Sequence, residues 1–246
     1  MVLISFLTIV YDSRGMDPNT KVYDELAESW YRLRHYTRFR RELEALAERW
    51  RGGRLLNIGC GHGPDFLPFK EAFGLYGLDI SGEMLRFARK YADKFRFSPA
   101  LVLGDAASLP FKDSSFDFAI AVAAYHHMKG SEKRRQAFRE LWRVLRPGGE
   151  AFITVWNLRR GLSSREVLVP WRTGGKTFHR YVYVYSPGEL RKELQGAGFR
   201  ILSQRPRLSL LRPFYRNTSF TIAKPPWGPR GGPGAGPRVD AVLPAA

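Results

Sequence analysis

The chain has 246 residues, a single cysteine (Cys60) and a formal net charge of +17. This length allows one α/β domain with a sizeable core and excludes two large domains. One cysteine excludes an internal disulfide, which fits a reducing, cytoplasmic location. Residues 1–10 are apolar, but ten residues cannot span a bilayer, so no membrane partner is expected.

The positive charge is concentrated towards the C-terminus. Residues 200–230 contain seven basic residues and no acidic one. Such an excess favours a polyanionic partner, most often a nucleic acid. The alternative is a basic surface without a partner, but the clustering favours RNA or DNA.

The first periodic segment, residues 20–50, predicts a helix with Val22, Leu26, Trp30 and Leu33 on one face. We expect a flexible extension over residues 1–19 before it. The globular domain is predicted over residues 20–224. A disordered tail is expected over residues 225–246, which are rich in proline and glycine.

A glycine loop follows the first predicted strand, residues 54–58. The loop, 59–63, reads Gly-Cys-Gly-His-Gly and precedes a predicted helix from Pro64 to Phe73. The second strand ends at Asp79, sixteen residues after Gly63. Glycines let the backbone approach a ligand closely, and a carboxylate can accept both ribose hydroxyls. A nucleoside cofactor is favoured over an ordinary tight turn, and Pro64, which lacks an N–H, disfavours a dinucleotide.

Strands and helices continue to alternate downstream. We predict strands over residues 100–103, 116–123 and 151–156, helices starting at Ser81, Ser131 and Ser186, and an antiparallel hairpin from residues 201–208 and 218–223. This α/β alternation predicts a doubly wound, mostly parallel sheet whose ligands bind at the carboxyl ends of the strands. Gly59, Asp79, Asp105 and Ala123 all fall at that edge.

This succession resembles the class I S-adenosylmethionine-dependent methyltransferases from about Val22 to Lys224. The resemblance implies a seven-stranded Rossmann-like fold with S-adenosylmethionine as cofactor. It implies that the glycine loop contacts the methionine part, that Asp79 holds the ribose, and that Asp105 with Ala106 reads the adenine. The full set of cofactor-binding residues expected from it is Tyr23, Gly59, Cys60, Gly61, Gly63, Asp79, Ile80, Asp105, Ala106 and Ala123.

A second set of residues indicates a resemblance to a more specific family within this class. The stretches 167–171 (Val-Leu-Val-Pro-Trp) and 180–185 (Arg-Tyr-Val-Tyr-Val-Tyr) flank a short basic insertion, Arg172 to His179. They resemble the tRNA methyltransferases that esterify carboxymethyluridine at the wobble position, here in a short archaeal or bacterial form. Buried strand packing is the alternative for both stretches. The resemblance implies tRNA as the partner.

The implied reaction needs no general base, because a carboxylate of pKa about 4 is already ionised at neutral pH. It needs the carboxylate oxygen, the methyl carbon and the sulfur to be aligned. Arg34 and Arg172 are candidates to hold the carboxylate, with Arg180 behind them, although each could be a phosphate contact or a surface charge. His126 is expected to face the pocket and His127 to pack beneath the loop; a structural role for both is the alternative. No metal-ligand spacing is present, so no metal site is expected.

Two other functions remain open: a small-molecule methyltransferase of the same fold, and a non-catalytic RNA-binding subunit. The family resemblance also implies a small zinc-binding activator protein on the edge of the sheet. The third strand, residues 100–103 (Ala-Leu-Val-Leu), would lie at that edge and is apolar throughout. The alternative is that residues 1–10 cover this edge within the monomer.

Overall fold

The computed structural model describes residues 18–158, 164–207 and 215–226. Its helices are α1 (Pro18–Leu33), α2 (Arg40–Trp50), α3 (Gly82–Phe95), α4 (Ser131–Val144) and α5 (Pro187–Gly196). Its strands are β1 (Gly53–Ile58), β2 (Phe73–Asp79), β3 (Ala100–Leu103), β4 (Phe116–Val122), β5 (Leu145–Leu158), β6 (Glu166–Thr173), β7 (Lys176–Tyr183), β8 (Arg200–Arg207) and β9 (Tyr215–Ala223).

Seven strands form one sheet in the order β3-β2-β1-β4-β5-β9-β8. Strands β1 to β5 are mutually parallel, whereas β9 runs antiparallel to both β5 and β8. The predicted doubly wound sheet with its C-terminal antiparallel hairpin is confirmed. The order places β3 at one edge and β8 at the other.

Helices cover both faces of this sheet. On one face, Phe138 of α4 and Leu190 of α5 are fully buried in a cluster with β4 and β5. On the other, Leu43 of α2 and Leu85 of α3 pack in a second cluster with β1 and β2. Two apolar layers on either side of a parallel sheet are what the α/β alternation requires.

The prediction of one helix over residues 20–50 was wrong, because residues 34–39 separate α1 from α2. The carbonyl groups of Arg34 and His35 are bound by the side chains of His62 and Tyr91 instead of by helical N–H groups. These partners lie 28 and 56 residues away in sequence, so local periodicity could not reveal the interruption.

The predicted helix from Pro64 to Phe73 is only a short 3₁₀ helix, Pro64–Phe69. Pro68 lies inside it and cannot donate a backbone hydrogen bond, which prevents a longer α-helix. The chain then enters β2 at Phe73.

Strands β6 and β7 form a separate two-stranded hairpin that the sequence did not predict. Gly174 and Gly175 make its turn with φ angles of 54° and 73°, as a two-residue hairpin turn requires. The short insertion Arg172 to His179 is therefore the tip of this hairpin, hereafter the β6–β7 hairpin.

The termini lie largely outside the described residues. Helix α1 starts at Pro18, two residues before the predicted domain start, while residues 1–17 and 227–246 are not described. Among the described helices, none has the length and apolar character needed to cross a bilayer.

Candidate active site

A cavity of about 600 Å³ opens at the carboxyl ends of β1, β2, β3 and β4. The glycine loop forms one wall, and the loop between α1 and α2 forms another. The predicted site residues that line it are Tyr23, Arg34, Gly59, Cys60, Gly61, Asp79, Ile80, Asp105, Ala106, Ala123 and His126. A concave site at this edge is where parallel α/β sheets bind ligands.

The glycine loop depends on backbone conformations that side chains would prevent. Gly59 has a φ of 67°, and a Cβ atom there would lie 2.5 Å from the Cβ of Ala124. Gly61 has a φ of 53°, but a Cβ there would meet no atom within 4 Å. Gly59 thus allows close packing of two strand ends, whereas Gly61 leaves open space next to the cavity for a ligand.

Asp79 ends β2 with its carboxylate held by the backbone. Its Oδ2 accepts a hydrogen bond from the Gly61 N–H at 2.7 Å, and its Oδ1 accepts one from the Ser81 N–H at 3.0 Å. Each oxygen keeps lone pairs for a further donor. Burial raises the pKa of Asp79 to about 6, and the backbone hydrogen bonds counteract part of that shift. A ligand that donates hydrogen bonds would therefore stabilise the ionised carboxylate.

Asp105, after β3, is fixed towards α4. Its Oδ1 accepts from the Ala107 N–H at 2.9 Å, and its Oδ2 pairs with Lys133 at 2.8 Å. Ala106 is buried beside it, and Cys60 is buried in the glycine loop. Burial, followed by the nearby charges of Asp79 and Asp65, raises the pKa of Cys60, so its thiol stays neutral.

The backbone turns sharply at Ala123, immediately after β4. Ala123 has a φ of 58°, which is unusual for a residue with a side chain. Its N–H donates to the carbonyl and to the hydroxyl of Thr154, at 3.0 and 2.9 Å. These bonds hold a strained conformation at the cavity wall, as binding sites often do.

His126 is fully buried and stacks on Trp156, with ring centroids 5.4 Å apart. Its Nδ1 accepts from the Trp156 N–H at 3.4 Å, which assigns the proton to Nε2. Nε2 has no hydrogen-bond partner within the described residues. Burial, then repulsion from His127 and Arg180, lowers the pKa of His126, so the ring is a neutral donor.

His127 is held by the protein on both sides. Its Nδ1 donates to the Tyr181 carbonyl at 2.9 Å, and its Nε2 accepts from the Tyr23 hydroxyl at 2.8 Å. The buried Asn19 bonds the carbonyl groups of both His127 and Tyr181. This network joins α1 to β7 and orients Tyr23 at the cavity.

Arg180 of β7 is a buried cation in the cavity wall, with 4% of its surface exposed. Its guanidinium lies 5.3 Å from the ring centres of both Trp30 and Trp171. Arg34 lies 3.8 Å from the Trp30 ring centre. In the described part of the chain, no aspartate or glutamate forms an ion pair with Arg180. A buried cation without a counter-ion favours an anionic ligand.

Two predicted site residues lie away from the cavity wall. Arg172 is exposed on the β6–β7 hairpin, where it is paired in register with Thr177. Gly63 does not line the cavity; it has a φ of 93° and donates its N–H to the Cys60 carbonyl. Asp65, Trp30 and Trp156 also line the cavity and were missed. The two tryptophans resemble core residues in the sequence, whereas the charge of Asp65, two residues after Gly63, was a signal that could have found it.

Metal ligation has no support in the geometry. Across residues 18–158, 164–207 and 215–226, no three histidine, cysteine, aspartate or glutamate side chains are grouped to hold a metal ion. The polar groups of the cavity instead suit a ligand with hydroxyl, amine and anionic parts.

Comparison with known proteins decides the family. Residues 56–153 match a family model described as a methyltransferase domain. A putative methyltransferase from Encephalitozoon cuniculi is 30% identical over 194 residues, covering 74% of this chain and 87% of the relative. The chain belongs to the methyltransferase family.

Relatives with more specific names also match. The tRNA (carboxymethyluridine(34)-5-O)-methyltransferase of Saccharomyces cerevisiae is 32% identical over 159 residues, covering 61% of this chain and 55% of the yeast protein. The chain spans only 30–55% of the length of the first such relatives.

The solved structures agree on the fold. An S-adenosylmethionine-dependent methyltransferase from Methanosarcina mazei has a TM-score of 0.62 at 23% identity, covering 71% of this chain and 93% of that protein. At this identity, the likeness shows the fold alone.

Proposed function

We propose that this methyltransferase uses S-adenosylmethionine to methylate the carboxylate of a carboxymethyl-modified wobble uridine in tRNA. The observation that carries the proposal is the buried Arg180, which forms no ion pair with an aspartate or glutamate among the described residues and lies in the same cavity as the glycine loop and Asp79. The yeast relative's name describes that reaction, and the single cysteine fits a cytoplasmic enzyme.

The cavity fits a nucleoside cofactor on three counts. Asp79 retains lone pairs for ribose hydroxyls, Gly61 leaves open space beside them, and Asp105 lies farther along the same edge for an adenine amine. When bound, S-adenosylmethionine supplies an activated methyl group on its sulfonium. The volume of about 600 Å³ lies within the usual range for a site that binds a small molecule.

The protein's own contribution to the chemistry is orientation. A carboxylate substrate is already ionised at neutral pH, so no side chain has to remove a proton. Arg180, with Arg34 close by on Trp30, provides the positive charge that holds the carboxylate. His126 lines the cavity wall as a buried, neutral ring whose position Trp156 fixes by stacking.

The β6–β7 hairpin is the surface that we assign to the tRNA backbone. Arg172, Lys176 and His179 are exposed on it. Trp171 packs on Trp30 with ring centroids 4.8 Å apart, which keeps the hairpin beside the cavity. Arg172 therefore contacts phosphate in this account instead of the substrate carboxylate. Within the basic run over residues 200–230, residues 208–214 and 227–230 lie outside the described residues.

Charge reversal at Arg172 and Lys176 is expected to weaken tRNA binding and flatten its salt dependence. Each lost phosphate contact lowers the slope of log affinity against log salt by about 0.7 to 0.9. Cofactor affinity should stay unchanged. Arg139→Glu on α4, whose guanidinium pairs with Glu132, is the matched control. An equal slope in the hairpin variant and the control would contradict this assignment.

A protein partner is the second element of the proposal. Strand β3 pairs only with β2 among the described strands, so its outer edge is available to a second chain. Leu101 is buried, and Val102 and Leu103 are half-buried. We propose that a small zinc-binding activator protein, as the family resemblance implies, adds to this edge.

Val102→Asp is expected to abolish co-purification with such an activator, because a charge on the edge strand opposes the addition of another strand. Ser203→Asp on β8, at the opposite edge of the sheet, is the control that should retain the partner. Both variants should bind the cofactor normally. A fully active wild-type monomer that purifies without a partner would overturn the proposal.

A direct test of the reaction uses the lability of esters. Methyl groups transferred from labelled cofactor to tRNA should be released as methanol by mild alkali if the product is a methyl ester. Label that resists alkali would show transfer to a base or ribose atom. Label that appears only on a small carboxylic acid would favour a small-molecule substrate.

A further inference from the structure

Asp65 is a buried carboxylate that the proposed reaction does not use. It follows the glycine loop as the second residue of the 3₁₀ helix Pro64–Phe69, is 8% exposed, and lines the cavity. Its polar contact is the hydroxyl of Thr37, from the loop between α1 and α2. In the part of the chain that the structure describes, no lysine, arginine or histidine forms an ion pair with it.

The environment of Asp65 disfavours an ionised carboxylate when no ligand is bound. Burial raises its pKa to about 6, and the Thr37 hydroxyl offsets this only in part. At neutral pH the group is still mostly ionised, so a negative charge is buried without a positive partner among the described residues. Such a charge is costly unless a cation compensates it. Since Asp65 lines the cavity, a bound ligand can supply that cation.

The position of Asp65 relative to Asp79 indicates which part of a ligand it meets. Both residues line the cavity, together with Cys60 and Gly61 of the glycine loop. Gly61 leaves open space beside the cavity. A ligand with a ribose at Asp79 and a cation farther along the loop would satisfy both groups.

We infer that Asp65 binds the α-ammonium group of the amino-acid part of S-adenosylmethionine. This inference rests on the proposed cofactor and adds the residue that distinguishes it from nucleosides without an amino-acid part. An ammonium group has three N–H donors, enough for the free lone pairs of the carboxylate. Asp65 thus acts as a specificity determinant, while Asp79 supplies the affinity for the ribose.

Three ligands separate this role from a purely structural one. S-Adenosylhomocysteine keeps the ammonium and lacks the sulfonium; its deaminated analogue lacks only the ammonium; 5′-methylthioadenosine lacks the amino-acid part. Calorimetry should show that the wild-type protein binds S-adenosylhomocysteine at least about tenfold more tightly than the deaminated analogue. In Asp65→Asn that preference should disappear, with affinity for the other two ligands retained.

Other outcomes would contradict either the role of Asp65 or the proposed cofactor. If Asp65→Asn weakens all three ligands equally, the residue only holds the loop through Thr37, and the inference fails. Wild-type protein that does not discriminate between S-adenosylhomocysteine and its deaminated analogue would also overturn it. Thr37→Val is the matched control and should keep the discrimination. Binding of none of the three ligands by the wild type would instead refute the proposed cofactor.

Discussion

Replacement of Asp79 by alanine is expected to lower the affinity for S-adenosylhomocysteine at least about tenfold. Each hydrogen bond from a ribose hydroxyl to this carboxylate is worth roughly 1.5–3 kcal/mol, and about 1.4 kcal/mol corresponds to a factor of ten. The two backbone N–H groups that Asp79 now satisfies, from Gly61 and Ser81, would also lose their acceptor. Calorimetry with the purified variant measures the effect directly.

The control for this variant is Asp79→Asn, which keeps the shape but removes the charge. Because the pKa of Asp79 is raised to about 6, wild-type affinity should be full above that pH and fall below it, as the carboxylate protonates. The asparagine variant should lose the Asp79 part of this dependence. A folded alanine variant with unchanged affinity would refute the assignment of the ribose site.

Removal of Arg180 is expected to lower kcat/KM for methyl transfer to the carboxymethyl nucleoside by about a hundredfold or more. The guanidinium is buried against Trp30 and Trp171, so its attraction for a carboxylate is only weakly screened by water. Loss of a charged hydrogen-bonded partner in such a site costs several kcal/mol. Steady-state kinetics on tRNA with the defined modification measure this change.

Two controls show whether the loss of Arg180 acts through the substrate carboxylate. Arg180→Lys keeps the charge and should recover part of the activity, although the planar fork is lost. Arg172→Ala, on the exposed hairpin, should change kcat/KM less than Arg180→Ala. Equal losses in Arg172→Ala and Arg180→Ala, with both proteins folded and binding cofactor, would contradict the role of Arg180.

The features that could be predicted from sequence are those set by local pattern. Gly59, Gly61 and Asp79 follow short apolar strands, and parallel strands necessarily bring their carboxyl ends to one edge. The helix start predicted at Ser186 is confirmed, and a capping box forms there with both of its reciprocal hydrogen bonds. In each case the residues responsible lie within one turn, one strand or one helix start.

The features that could not be predicted depend on distant contacts. Arg180 lines the cavity and Arg172 does not. This depends on which side of the β6–β7 hairpin packs on α1, where Trp171 meets Trp30. The loop over residues 34–39 exists because His62 and Tyr91 bind its carbonyl groups. Asp65 lies in the 3₁₀ helix that replaces the expected α-helix. None of these contacts leaves a periodic signal in the sequence.

The proposed reaction esterifies a carboxymethyl group on the wobble uridine of tRNA. Mass spectrometry of nucleosides tests this reaction, with tRNA that carries carboxymethyluridine incubated with the protein and labelled S-adenosylmethionine. With the wild-type protein, carboxymethyluridine should disappear as its methyl ester forms, whereas Arg180→Ala should form almost no ester. Unchanged carboxymethyluridine together with label on another nucleoside would contradict it.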